Sequence, residues 1–185
     1  MDGTLTVPVH DFDAMRRELG LPFGLGTLEG LAALPPEERK ARRAQLDEIG
    51  WRYVALARPQ SGALELLESL KARGGQLGLV TRNGRRNTLG TLERIGCAHF
   101  FAPESILTRD EAEPKPSPQA VLRLLTGWGA SPHEGVMVGD AVYDVQAGRA
   151  AGTATVLIDP DGSSEHRVLA DFAVQNLHEL QGLLS

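Results

Sequence analysis

From residue 61 onward the chain alternates between helical and strand periodicity, and this alternation limits the possible folds more than any other feature. Residues 61–73 read as a helix that runs into Gly74-Gly75, a good helix stop. Gln76 to Thr81 is a short apolar strand. Residues 84–95 are helical and end at Gly96, and Ser105-Ile106-Leu107-Thr108 is a brief strand. A helix over 117–127, a strand over 135–139, a helix over 142–151 and a strand over 153–158 follow. Asp159-Pro160-Asp161-Gly162 is a turn, Phe172-Ala173-Val174 a last strand, and 176–184 a closing helix. Apolar strands separated by helices predict an α/β fold whose parallel sheet is covered on both faces.

The first third of the chain has another rhythm. Residues 10–58 are helical throughout, and Pro35-Pro36 opens a long helix. Ala41, Ala44, Ile49, Tyr53 and Leu56 predict one buried stripe on it. Arg39, Lys40, Arg42 and Arg43 lie off that stripe and read as a solvated face with pairs such as Glu38 to Arg42. A length of 185 residues fits one domain with a small inserted lid. The net charge of −5 argues against nucleic acid as a partner, although a local basic pocket can still hold a small anion. Cys97 is the single cysteine, so no intrachain disulfide forms, and it reads as a small buried hydrophobe. No apolar run reaches the roughly 18 residues of a membrane span, and no leader pattern opens the chain. A soluble cytoplasmic protein, monomeric or homodimeric and without a membrane partner, is expected.

In open parallel sheets, ligands gather at the carboxyl ends of the strands. Strand 76–81 delivers Thr81-Arg82-Asn83, and strand 135–139 delivers Asp140, with Asp144 four residues on. Lys115, one of three lysines with Lys40 and Lys71, sits between Pro114 and Pro116. Asp2-Gly3-Thr4-Leu5 would lie at a further strand end if a strand preceded it. A hydroxyl at Thr81 and nearby backbone N–H groups suit phosphate oxygens. A fixed ammonium at Lys115 suits a phosphoryl group and a carboxylate nucleophile. Asp140 and Asp144 are hard oxygen ligands of the sparse kind that suits Mg²⁺. Each residue has an ordinary reading as well: Thr81 a strand end, Lys115 a surface lysine, Asp140 a helix N-cap, Asp-Gly-Thr a turn. Their joint occurrence in this order decides for the site.

Asp2-Gly3-Thr4-Leu5-Thr6, Val80-Thr81-Arg82-Asn83, Lys115-Pro116 and Val138-Gly139-Asp140-Ala141-Val142-Tyr143-Asp144 together resemble the four ordered motifs of the haloacid dehalogenase-like hydrolases. The nearest resemblance is to the phosphoglycolate phosphatase-like branch. It implies a Rossmann-like doubly wound core over 1–5 and 61–185, with a small helical cap over 6–60. It further implies a Mg²⁺-dependent phosphatase acting on a small phosphorylated metabolite. Asp2 resembles the general acid/base, and its carbonyl joins Asp140 and Asp144 at the metal. Thr81 and Lys115 resemble the catalytic phosphate-binding pair, with Gly3, Arg82 and Asn83 beside them.

The family's first motif is Asp-x-Asp-Gly-Thr, and its first Asp forms the aspartyl-phosphate. Met1 stands at x, so the resemblance places that nucleophile and its apolar strand ahead of Met1. That strand lies centrally in the family, between those ending at Thr81 and Asp140, and its removal splits the sheet. Two alternatives remain: a phosphomutase of the same family, and a catalytically inactive phosphate-binding or interaction protein. A dehalogenase needs neither an acid at Asp2 nor a metal, and Asp2 with Asp140 and Asp144 argues against it. His10, Arg16, Arg52 and Arg58 read as surface residues, with contact to a substrate carboxylate as the alternative.

Overall fold

The structure is a computed structural model that describes residues 1–22 and 24–184. Five strands alternate with helices from residue 63 onward, as the periodicity predicts. Helix α4 (Ala63–Ala72) leads to β1 (Leu79–Val80), α5 (Arg85–Arg94) and β2 (Ile106–Leu107). Helix α6 (Gln119–Trp128), β3 (Val136–Gly139), α7 (Val142–Ala151) and β4 (Ala154–Ile158) follow, then β5 (Phe172–Val174) and α8 (Leu177–Leu183). Every ladder is parallel. Strand β4 is paired on both sides, and its run Ala154-Thr155-Val156-Leu157-Ile158 is buried from Thr155 on, the continuous apolar pattern of a doubly covered strand. Full burial of a side chain such as Leu157 contributes roughly 1.5–3 kcal/mol.

The strands form two sheets, β1-β2 and β3-β4-β5. One edge of β1 and one edge of β3 carry no ladder, and an apolar slot of about 450 Å³ lies between them. Met1, Leu79, Val80, Val136 and Val138 are among its walls. Side chains join what the backbone does not. One buried cluster unites Leu79 and Ile106 with Val156, Ile158 and Val174. A second unites Val80 and Leu107 with Val121, Leu125 and Ala151. Cys97 is buried in the first, and desolvation pushes its thiol up to about 11, so it packs as a hydrophobe.

Residues 12–54 add α1 (Phe12–Glu18), α2 (Thr27–Ala32) and α3 (Pro36–Val54). They share a separate core of Met15, Leu19, Leu21, Leu31, Leu46 and Ile49. The predicted stripe on α3 needs correction. Ile49 and Tyr53 face this core, but Ala41, Ala44 and Leu56 are exposed, and Leu46 and Val54 are buried in their place. Alanine fits either face of a helix, and spacing alone misplaced the stripe. The basic cluster is mostly solvated, yet Arg43 reaches the Asp110 carboxylate at 3.0 Å and Arg39 the carbonyls of Ala32 and Leu34. The chain enters and leaves this helical segment side by side: the Val7 N–H donates to the Arg58 carbonyl, and the Gln60 N–H to that of Leu5. Among the described residues no helix is long and apolar enough to cross a membrane.

Candidate active site

The strand ends β1 and β3 and the turn at residues 1–6 meet in one cavity of about 840 Å³, roofed by the helical segment. Asp2, Gly3, Thr81, Arg82, Asn83, Lys115, Asp140 and Asp144, the residues singled out in the sequence, all line it.

Lys115 is the best-held of them. Its Nζ donates to the Val80 carbonyl at 2.7 Å and to Asp144 Oδ1 at 2.5 Å, with both side chains under a tenth exposed. Burial opposes ionisation of Asp144. The Lys115 ammonium outweighs it, together with hydrogen bonds from Lys115 and the Ala141 N–H, and holds this carboxyl below its usual range. Asp140 is different: desolvation comes first and raises its carboxyl, the Asp144 charge adds to that, and the Thr4 hydroxyl, which donates to Oδ1 at 2.8 Å, works against it. Asp140 does not cap α7, whose N-cap is Ala141.

Gly3 explains how the first turn comes so near Asp140. Its φ is +74°, and a Cβ there would lie 2.1 Å from Asp140 Oδ2, so a side chain is excluded both by conformation and by space. Asn83 Nδ2 donates to Asp2 Oδ2 at 2.7 Å, and the Asn83 N–H to Thr81 Oγ1 at 3.2 Å. The turn and the β1 end are thus bonded directly. Arg82 does not point freely at the floor. It holds both oxygens of Glu29 in α2, at 2.6 and 2.7 Å, donates to the Lys115 carbonyl, and stacks 4.0 Å over the Tyr143 ring.

Three further contributors escaped the strand-end reading. Arg109 lines the cavity, donating to the Arg82 carbonyl at 3.0 Å and to Asp47 of α3. It lies two residues past β2, as Arg82 lies two past β1, so the same rule applied to that strand finds it. Burial raises the Asp47 carboxyl, more than Arg109 lowers it. His10, stacked on Tyr53 with centroids 4.6 Å apart, sets Nδ1 3.9 Å from Asp2 Oδ1. Arg16 lines the cavity from α1. For His10 and Arg16 the surface reading is corrected, because the roof encloses both. Arg52, paired to Glu18, and Arg58 are exposed as expected.

A cavity at the carboxyl ends of parallel strands, floored by carboxylates, a hydroxyl and a buried ammonium and closed above by helices, defines an α/β enzyme of the small-anion-handling kind. Residues 23–158 match the haloacid dehalogenase-like hydrolase family. A haloacid dehalogenase-like hydrolase domain-containing protein of Arabidopsis thaliana is 31% identical over all of this chain and 81% of its own length. A phosphoglycolate phosphatase of Nitrosococcus oceani is 28% identical over all of this chain and 94% of its own. A solved hydrolase of the same family from Entamoeba histolytica shares the fold with a TM-score of 0.81 at 17% identity, covering 97% of this chain and 92% of that one. The chain belongs to the haloacid dehalogenase-like hydrolase family.

Proposed function

We propose that the chain serves a Mg²⁺-dependent phosphatase that hydrolyses a small phosphomonoester through an aspartyl-phosphate, formed on a carboxylate immediately ahead of Met1. One observation carries the reading: Asp2, Thr81, Lys115 and Asp140, from four separate segments, line the same cavity. The slot between β1 and β3 supports the upstream strand, because two unladdered edges facing each other across an apolar gap suit an extended apolar segment. The relative named for phosphoglycolate supports the substrate size.

In this reading the phosphoryl oxygens meet the Thr81 hydroxyl, the Lys115 ammonium and the N–H groups that follow Thr81. Asn83 fixes one oxygen of Asp2. The carboxyl then protonates the leaving alkoxide and afterwards accepts the proton of the attacking water. Residues 6–60 act as a cap that excludes bulk water. Asp140, Asp144 and the Asp2 carbonyl would hold Mg²⁺, which when bound supplies charge neutralisation at the phosphoryl oxygens. The donor set fits: Asp140 and Asp144 line the same cavity, and Mg²⁺ takes one or two carboxylates and keeps water. Among the described residues no cationic side chain is hydrogen-bonded to the Asp140 carboxylate, which accepts from the Thr4 hydroxyl.

The test is phosphate release from a panel of phosphomonoesters. The 185-residue chain is expected to release none. An N-terminal extension supplying an apolar strand and an Asp directly before Met1 should release phosphate, and the same extension ending in Asn should fold and stay inactive. Turnover by the 185-residue chain itself would remove Asp2 from its assigned role.

A further inference from the structure

Apolar side chains border the cavity as well as charged ones. Pro8, Phe12, Met15, Leu28 and Leu46 line it from the helical segment, above the floor that holds Asp2, Thr81 and Lys115. Met15 and Leu46 are buried in the core of that segment, and Leu28 packs against it. Phe12 is different. Among the described residues it joins none of the three buried clusters, and it is 52% exposed. Of the large hydrophobic side chains left exposed among the described residues, Phe12 is the one that borders this cavity.

The Phe12 ring is also held at a fixed tilt. It stacks on His10 with centroids 5.5 Å apart and planes at 11°, and His10 stacks in turn on Tyr53, at 4.6 Å and 28°. Tyr53 packs against the helical core, so the row is anchored at that end, and Phe12 closes it on the exposed side. The row begins beside the chemistry, because His10 Nδ1 is 3.9 Å from Asp2 Oδ1. In the proposed reaction Asp2 protonates the leaving oxygen, and the group on that oxygen therefore lies next to His10 and Phe12. A lone exposed phenylalanine is ordinary. One stacked at a set angle on the rim of the reaction cavity is oriented before anything binds.

We infer that Phe12 is a subsite for the leaving group, and that the preferred phosphomonoesters are those whose leaving alcohol bears an aromatic ring, directly or through one carbon. Such a ring extends the row of Tyr53, His10 and Phe12, and it removes apolar surface from water at the roof as it does so. A cavity of about 840 Å³ holds a phosphoryl group and one ring together. The inference rests on the floor being the phosphoryl site proposed above.

Binding of phosphonates, measured by calorimetry on the 185-residue chain in Mg²⁺ buffer, tests it without turnover. The probes are benzylphosphonate, cyclohexylmethylphosphonate, propylphosphonate, 3-phosphonopropionate and inorganic phosphate. Benzylphosphonate should bind about tenfold more tightly than propylphosphonate, with cyclohexylmethylphosphonate between them. Phe12→Ala should bring the benzyl-to-propyl ratio close to one. Phe12→Leu keeps apolar bulk and should erase only the preference of benzyl over cyclohexylmethyl. Phe172→Ala, on a similarly exposed ring that does not border the cavity, should leave every ratio unchanged. A wild-type ratio near one, a ratio that survives Phe12→Ala, or tighter binding of 3-phosphonopropionate than of benzylphosphonate would overturn the subsite while the phosphoryl site stands. If neither propylphosphonate nor inorganic phosphate binds, the phosphoryl reading fails first and the subsite with it.

Discussion

At the residue scale, Lys115 shows how a site residue is also a structural one. Its ammonium and the Asp144 carboxylate are buried together, so removing either partner leaves a charge without compensation. Lys115→Met is expected to cost about 3–5 kcal/mol in urea unfolding. Adding Asp144→Asn should return most of that loss, while phosphate binding stays lost in both variants. Lys40→Ala and Lys71→Ala, on exposed residues, should stay within about 0.5 kcal/mol of wild type. A full loss in either control would mean that Lys115 holds no special place. The lysine itself was legible from the two prolines beside it and the order of the motifs. Its partner was not: a carboxylate 29 residues away comes within 2.5 Å only through the fold. The same is true of Thr4 and Asp140, which are 136 residues apart.

At the scale of elements, the periodicity located the α-helices and strands from residue 61 on, but neither the short 3-10 turns such as Glu165–Leu169 nor the strand lengths. The apolar run 76–81 is laddered only at Leu79–Val80, because β2 offers it two residues and its other edge has no ladder. Pairing is a property of two segments, and one segment's pattern cannot state it. The start of α5 makes a related point. Its N-cap is Gly84, which has no side chain to give, and Asp110 from beyond β2 accepts the Arg85 N–H at 2.7 Å instead. Burial works to raise the Asp110 carboxyl, but this bond, the Arg43 guanidinium and the Arg109 charge hold it below the ordinary 3.8. A carboxyl depressed in the folded state adds stability above 3.8 that is lost as the pH falls through its lower, folded value. Asp110→Asn should therefore unfold more readily than wild type at neutral pH, and the gap should close in strong acid. A gap that holds constant from neutral to acid pH would show that the charge of Asp110 contributes nothing.

At the scale of the whole molecule, two half-sheets are joined by side chains rather than by a ladder. Amides of β4, bonded on both sides, should be the slowest to exchange with deuterium, and the outward amides of β1 and β3 should exchange much faster. The N-terminal extension described above should slow β1 and β3 selectively. Uniform protection across all five strands in the 185-residue chain would mean that the slot is closed in solution.

The paired crossing at residues 5–7 and 58–60 sets the kinematics of everything above the floor. A body attached by two adjoining strands has one short axle, and points sweep arcs in proportion to their distance from it along the body. His10, four residues from the bridge at Thr6, has a short radius and stays near Asp2 through any swing. Glu29, well along the segment, has no such tether and rides a longer arc, so its grip on Arg82 is where the swing is first felt. In a swing about that axle the clasp at the rim would travel while the neighbourhood of Asp2 turned nearly in place.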